Sequence, residues 1–578
     1  MGDAGTLSFD ISEIPFSYRG SWLDLSPVVG LHQTAEDVHV VTHTGGMHPI
    51  FRLVPDAGGL VPRTVVRASP TTLSWVTQEG IVEAVFESVQ AIRFRGRGLG
   101  LRFVAPDELT PFTGGYLFRD PSDGAVTLTS YESGRRYRFT VLRGAPAIHG
   151  EKRTGAAHRA LVFGAQADWE VVLEEITTAA DPIGPNPDFD TTRAERAREF
   201  DDYAGAVLAG IAESAAATKA AYVMWSATVS PAGFVGREAI LMSKHWMDKV
   251  WSWDHCFNAI ALAGADADAA LDQFLLPFDH QTSSGAIPDS VAHSEVLYNY
   301  VKPPIHGWAF ALLRKRAARP LTTRELTDVY ERLGSWTRFW LNHRRKPGHA
   351  LPYYQHGNDS GWDNATTFDR DRVVESPDLA AFLLLQLAEL ASLARELGRT
   401  SSEWDIAAHE LESALLEELW TGDGFVARSV DDRTASGQTS LLTAMPIVLG
   451  ERLPVDIAEK LAARIAQHLT SWGPATELPD SPLYEADGYW RGPIWAPSTL
   501  LVEDGLRRAG HVELADEISR AFRAVCERSG FAENFDALTG SGLRDRAYTW
   551  TAAAYLVLAA EEAARTTTLP AIDRTGAR

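Results

Sequence analysis

Cysteine is almost absent, with only Cys256 and Cys526 in a chain of 578 residues. The two form no CxxC pair and no disulfide framework, which fits a reducing compartment. Positive charge is also scarce. Against 76 acidic residues stand 54 lysines and arginines, a formal net charge of −22 spread along the chain. Such a surface repels nucleic acid and anionic lipid, so polyanionic partners and a membrane surface are not expected. The opening stretch MGDAGTLSFDISEIPF has no basic region followed by an apolar one, and no uncharged apolar run reaches about 18 residues. Neither a signal peptide nor a membrane span is therefore expected, and the cytoplasm is the default. HExxH, GxSxG and GxxxxGK[ST] are missing too. The histidines lack tight ligand spacing, so neither a metal nor a cofactor is expected, although loop carboxylates leave a calcium open.

What the chain does hold is aromatic: 17 tryptophans and 15 tyrosines. Large cores contain many such rings. A flat ring with a polar edge also suits the apolar face of a sugar while leaving the hydroxyls reachable. Position along the chain has to decide between the two. With 45% hydrophobic residues, the chain can bury a large core in at least two domains.

Residues 1–178 read as an antiparallel β-sandwich. In RRYRFTVL, Tyr137, Phe139 and Val141 alternate with Arg138 and Thr140, the period of a half-buried strand. EDVHVVTH, IVEAVFESV and HRALVFGAQ behave alike, and Asp123-Gly124 carries hairpin chemistry. The glycine string from Gly96 to Leu101 lacks GxGxxG spacing and opens no helix, so it is not read as a phosphate loop. Proline-punctuated ADPIGPNPDFD marks a linker over 179–200. Helices fill 201–565, and the tail 566–578 is expected to be disordered. Ser376 is expected as the N-cap, with Pro377 in first position, of a helix apolar nearly all round and hence fully buried. The next helix sets Trp404, Ala408, Leu411, Leu415 and Leu419 on one face. A buried helix followed by an amphipathic one is an inner–outer pair. About twelve such segments would close a toroid whose inner helices start from loops converging on one mouth.

Four polar, aromatic clusters interrupt the helical half. They are WMDKVWSWDHCF with Trp253 and Asp254, QHGNDSGWDNATTF with Asp359, Trp362 and Asp363, DGYWRGPIWAP with Tyr489, Trp490, Arg491 and Trp495, and FAENFDALTGSG with Glu533. Hydrolysis of a glycosidic bond needs a carboxylic acid to protonate the leaving oxygen and a second carboxylate to activate water or attack carbon. Aromatic platforms hold the ring, and arginine with a further aspartate fixes the hydroxyls. Singly, each carboxylate is better read as a cap or a solvated residue: Asp363 as an Asx turn, Glu533 as a helix cap. Together the four clusters point to a small carbohydrate substrate.

SGWDN, YWRGPIW, WSWDHCF, AENFDALTG and YTWTAAAYL resemble glycoside hydrolase family 63 and its trehalase-like relatives, over roughly residues 195–565. The resemblance implies an N-terminal β-sandwich followed by an (α/α)6 toroid, and inversion at the anomeric carbon of an α-linked sugar. It implies Asp363 as general acid and Glu533 as general base. Trp253 and Asp254 match the segment that grips the non-reducing sugar, and Trp490 and Arg491 the element lining the same subsite; Trp362 and Trp495 complete the expected substrate-binding set. Two positions depart from the family pattern. Lys302 precedes Pro303 and Pro304 where a glutamine is common, and would address a carboxylate-bearing aglycone or be merely solvated. Asn358-Asp359 stand where relatives often place a glutamate. The main expectation is exo-acting hydrolysis of a small α-glucoside. An α-mannoside or a glucosyl- or mannosylglycerate is the alternative substrate. A sugar epimerase with a histidine pair and a catalytically inert glycan-binding protein are the alternatives of another class.

Overall fold

A computed structural model describes residues 7–106 and 115–568. They form two compact units. The first comprises Met1–Gly205, Ala221–Lys249 and Ala292–Glu295, and the second Ala206–Ala220, Val250–Val291 and Val296–Arg578.

The first unit is built on two antiparallel sheets. One orders Phe16–Ser17, Leu23–Gly30, Gln33–Thr42, His48–Asp56, Gly100–Val104, Ala160–Phe163 and Ala147–His149. The other orders Gly115–Arg119, Val126–Ser130, Arg136–Arg143, Trp169–Ile176, Ala91–Arg97, Ile81–Ser88, Leu73–Val76 and Val65–Ala68. Their inner faces meet in edge-to-face rings: Phe103 of the first sheet lies 5.0 Å from Phe94 and 5.1 Å from Phe139 of the second. Tyr137 and Phe139 point inward as their alternation requires, but Val141 is exposed. Val141 still pairs in step, opposite Val171, and is the last residue before a bulge that shifts the register between Val141 and Arg143. The glycine string serves close approach between neighbouring strands of each sheet. A Cβ on Gly96 would sit 2.2 Å from the Trp169 indole, and one on Gly100 2.1 Å from the Phe163 carbonyl.

Helices follow in chain order: α1 Phe189–Val207, α2 Ala215–Ala227, α3 Asp254–Leu262, α4 Ala267–Leu275, α5 His306–Arg316, α6 Thr323–His343, the single turn α7 Gly357–Ser360, α8 Pro377–Glu396, α9 Ser402–Ala414, α10 Val455–His468, α11 Ala496–Arg508, α12 Val512–Ser529 and α13 Thr549–Thr568. The expected linker thus ends early, since α1 takes up residues 189–200. Thr566–Thr568 of the expected tail belong to α13, and the rest of the tail lies outside the described residues.

In the second unit α3 packs on α5, α5 on α8, α8 on the 3-10 segment Leu441–Arg452, that segment on α11, α11 on α13 and α13 back on α3. On these sit α4 against α3, α6 and α9 against α8, α10 against the 3-10 segment and α12 against α11. By length and composition α8 could cross a bilayer, but 78% of that apolar window is buried inside the protein. It is a core helix. Ser376 precedes it as expected, yet its hydroxyl donates to the Asp378 carboxylate and accepts no backbone N–H. Trp404, Leu411, Leu415 and Leu419 are buried along the amphipathic segment, whose last turn, Leu415–Leu419, is π-helical. The strands named after residue 227 are pieces of two or three residues in antiparallel pairs.

Candidate active site

Short strand pairs and side-chain clamps, all within the second unit, bring the four clusters together. Val250–Trp251 pairs with Ser290–Val291, and Ser252 N–H donates to the Asp289 carbonyl at 3.0 Å. This joins Asp289 to the chain entering α3, whose first residue is Asp254. Gly361, at φ 74°, lets the GWDN loop cross the Trp253 indole, where a Cβ would stand 2.5 Å from the ring. Asn364 clamps that loop to the YWRGP loop. Its Nδ2 donates to the Gly488 carbonyl at 2.9 Å, and its Oδ1 accepts from Trp490 N–H at 3.0 Å. Ile494 and Phe535 exchange backbone bonds of 2.8 and 3.0 Å, so YWRGPIW and AENFD run side by side.

Trp253, Trp362, Trp490 and Trp495 are each 1–2% exposed. Trp490 stacks on Trp495 at 4.0 Å with 6° between planes, and Trp362 leans on Trp490 at 4.8 Å. Trp550 meets Trp253 and Trp495 edge-on at 5.6 and 5.4 Å. The expected open platforms are thus covered by one another, because rings that bury about 150–250 Å² each gain most by stacking where loops converge. Arg491 is engaged as well. It pairs with Asp369 at 2.7 Å and Glu485 at 3.1 Å, tying down its own loop.

The carboxyls face inward. Asp363 is half-buried, while Asp254 and Glu533 are 3% exposed. Burial raises the Asp363 carboxyl, with Asp289 adding and Lys302 opposing. It raises Asp254 far above the usual range, again against Lys302. It pushes Glu533 up to about 8, with Asp545 adding and Arg544 and a hydrogen bond from Tyr489 opposing. The requirement that Asp363 stay protonated and Glu533 ionised called for their values to be pushed apart. Instead both rise, because both leave water and the cations nearby are few. Tyr489 holds a left-handed backbone at φ 65°, a conformation that costs a bulky residue about 1–2 kcal/mol. Its carbonyl accepts from Trp495 Nε1 at 2.8 Å, and Arg544 lies 4.9 Å over its ring.

Lys302 is neither solvated nor free. It is 5% exposed, with Nζ 3.1 Å from Asp289 Oδ1 and 3.0 Å from the Asn358 carbonyl. Asp359 has a structural task, accepting from Arg344 at 2.7 Å, from Gln355 N–H at 2.8 Å and from Val301 N–H at 3.1 Å. Residue reading missed Asp289, Tyr548 and Asp545. Asp289 lies in GAIPDSVAH, an irregular polar stretch between helices like the four clusters, and Tyr548 lies in the YTWTAAAYL motif.

Among the described residues, His255, Cys256 and His306 bring metal-ligand atoms within 4.8 Å of one another. They supply three donors, one fewer than a closed zinc site takes. His255 Nε2 and Cys256 Sγ, 3.7 Å apart, are also placed for a thiol hydrogen bond. His255 packs on Phe274 and His306 among Phe274, Phe278 and Trp336, where burial drives His255 down to about 4 and His306 well below its usual value.

Buried and half-buried carboxyls held on convergent loops of a helical unit, in a chain that opens with antiparallel β structure, are the equipment of a glycoside hydrolase. Residues 247–551 match the model of the mannosylglycerate hydrolase MGH1-like glycoside hydrolase domain, and the chain belongs to that family, within glycoside hydrolase family 63. It is similar to the mannosylglycerate hydrolase of Rubrobacter radiotolerans, at 25% identity over 397 residues, 53% of this chain and 89% of the relative. The enzyme of the same name from Thermus thermophilus is 24% identical over 403 residues, 52% of this chain and 92% of the relative. Among solved structures, a family 63 mannosylglycerate hydrolase from Thermus thermophilus in complex with glucose aligns at TM-score 0.52 and 22% identity. That alignment covers 59% of this chain and 98% of the other, and it carries the fold.

Proposed function

We propose that this glycosidase hydrolyses an α-glycoside of glycerate, mannosylglycerate first, from its non-reducing end and with inversion. The carrying observation is that the family match over 247–551 encloses Asp254, Lys302, Asp363 and Glu533. In support, the named relatives are mannosylglycerate hydrolases, and a related Thermus thermophilus structure was solved with Tris and D-glycerate. This displaces the small α-glucoside as the first substrate to test. Asp363 protonates the leaving glycerate oxygen, and Glu533 takes the proton of the attacking water. Asp254 accepts from the sugar hydroxyls. The tryptophan stack and Arg491 act by holding the loops that carry these groups. The successive packing of α3, α5, α8, the 3-10 segment, α11 and α13 supports an (α/α)6 toroid, with a sandwich domain over 1–178 and a catalytic domain over 201–565.

A panel of mannosyl- and glucosylglycerate, α-glucosyl and α-mannosyl disaccharides and dextrins, followed by proton NMR, tests this. The expected result is turnover of a glycerate glycoside with the β-sugar appearing first. The α-anomer appearing first overturns inversion, and turnover confined to dextrins or disaccharides overturns the substrate.

A further inference from the structure

Three buried or half-buried carboxyls, on Asp254, Asp289 and Asp363, act electrostatically on the single ammonium of Lys302. They reach it from different parts of the chain. Asp254 opens α3, Asp289 immediately precedes the strand Ser290–Val291, and Asp363 follows α7 and Gly361. Lys302 touches two of these parts directly, through Asp289 Oδ1 at 3.1 Å and through the carbonyl of Asn358 in α7 at 3.0 Å. The other ionisable groups around the trio are His356 beside Asp363, Cys256 beside Asp254, and Tyr489, Tyr548 and Glu533 from the loops that close the site. None of these is a fixed cation, and Lys302 is the cation that acts most strongly on Asp254 and Asp363. Two of the three N–H donors of the ammonium are thus engaged inside the site.

We propose that Lys302 is a positioning residue of the active site, a shared counter-ion that bolts the Asp289 strand to the Asp363 loop and supplies the positive charge that Asp254 and Asp363 face. This rests on the hydrolytic roles proposed above for Asp254 and Asp363. With the ammonium in place, the carboxyls of both Asp254 and Asp363 are held lower than burial alone would put them. Without it, both carboxyls hold their protons to higher pH, and the tether between the two segments is lost. Burial works against the ammonium, but the three carboxyls outweigh it and hold Lys302 charged. An opposite charge at close range moves a carboxyl by about 1–3 pH units.

Lys302→Met, Lys302→Gln and Lys302→Arg test this in the full chain. Lys302→Met removes charge and tether. It should lower kcat about 100-fold and move the alkaline limb of the pH–rate profile up by about one unit or more, because a carboxyl deprived of its cation holds its proton longer. Lys302→Gln keeps a donor for Asn358. It should move the limb equally at a smaller cost in kcat, and Lys302→Arg should leave the limb in place. Loss of rate with an unmoved limb in both neutral variants overturns the proposal. A rise in KM confined to glycerate glycosides, with neutral aglycones unaffected and the limb unmoved, also overturns it and makes Lys302 an aglycone ligand. A stability arm needs no substrate. The deficit of Lys302→Gln against wild type in urea unfolding should widen as pH rises through the carboxyl range, because the ammonium stabilises only ionised partners. A deficit constant from pH 4 to 9 overturns the proposal even if no glycoside in the panel is turned over, an outcome that would sink the functional reading separately.

Discussion

Each compact unit buries a cluster of charge, and the two clusters are balanced in opposite ways. In the β unit Arg93 lies between Glu87 at 3.2 Å and Glu170 at 2.7 Å, Arg95 between Glu83 and Asp190 at 2.8 Å each, and Arg138 against Glu174 at 2.8 Å. His43, fully enclosed, bridges Asp24 at 2.8 Å and Asp248 at 3.0 Å. Burial works against its proton, but hydrogen bonds to both aspartates outweigh burial and raise it to about 9. In the helical unit Asp254, Asp289 and Asp363 share Lys302, and Glu533 has Arg544. A balanced cluster holds its charges and stabilises. An acid-rich cluster short of cations holds protons instead, and protons held at raised values are what acid–base catalysis uses.

The largest test of this contrast removes the two proposed catalytic carboxyls. Asp363→Asn and Glu533→Gln should each lower kcat about 1,000-fold or more with little change in binding, since both act in the transition state. A glycosyl fluoride, whose leaving group needs no proton, should partly rescue Asp363→Asn alone; rescue of Glu533→Gln instead would reverse the two roles. Stability should move the other way. Glu533 is raised from 4.5 to about 8, so its penalty is absent at low pH and grows as pH climbs through that window. Glu533→Gln should therefore gain stability over wild type between pH 5 and 8 in urea unfolding, and a loss there would break the contrast.

A smaller effect is expected in the β unit, and with opposite sign. His43→Leu leaves Asp24 and Asp248 buried face to face and should cost about 3–5 kcal/mol. The raised histidine contributes its full stabilisation below about pH 6.5 and loses it as pH rises through about 9. The gap between wild type and His43→Leu should close over that range, as read by chemical denaturation.

The smallest effect tunes the site. Tyr489→Phe deletes the hydrogen bond that lowers Glu533, so the rising limb of the pH–rate profile should move to higher pH by about one unit, roughly tenfold in kcat/KM at neutral pH. A limb that stays in place would mean that Glu533 is not the base that limb reports.

Much of this was legible in the residues. Alternation placed Tyr137 and Phe139 inside because a strand's two faces are a local property, and the same rule failed at Val141, the last residue before a bulge. The four polar, aromatic clusters stood out because each interrupts a helical pattern. Asp289 escaped notice as one aspartate beside a proline, and its importance arises only from Lys302, Asp254 and Asp363 around it.

By itself, then, the sequence determined the β-to-helix order of the chain, the burial of α8 and the loops that carry the carboxyls, because periodicity and turn chemistry act over a few residues. Tertiary structure decided that the tryptophan faces cover one another, that Arg491 and Asp359 brace loops, that Lys302 is a buried counter-ion and that Glu533 as well as Asp363 holds its proton above the usual range. Those outcomes depend on burial and on charges distant in the chain, such as Asp289 for Lys302 or Tyr489 for Glu533. Electrostatic energy follows distance in space and access to water, and neither is written in the order of residues.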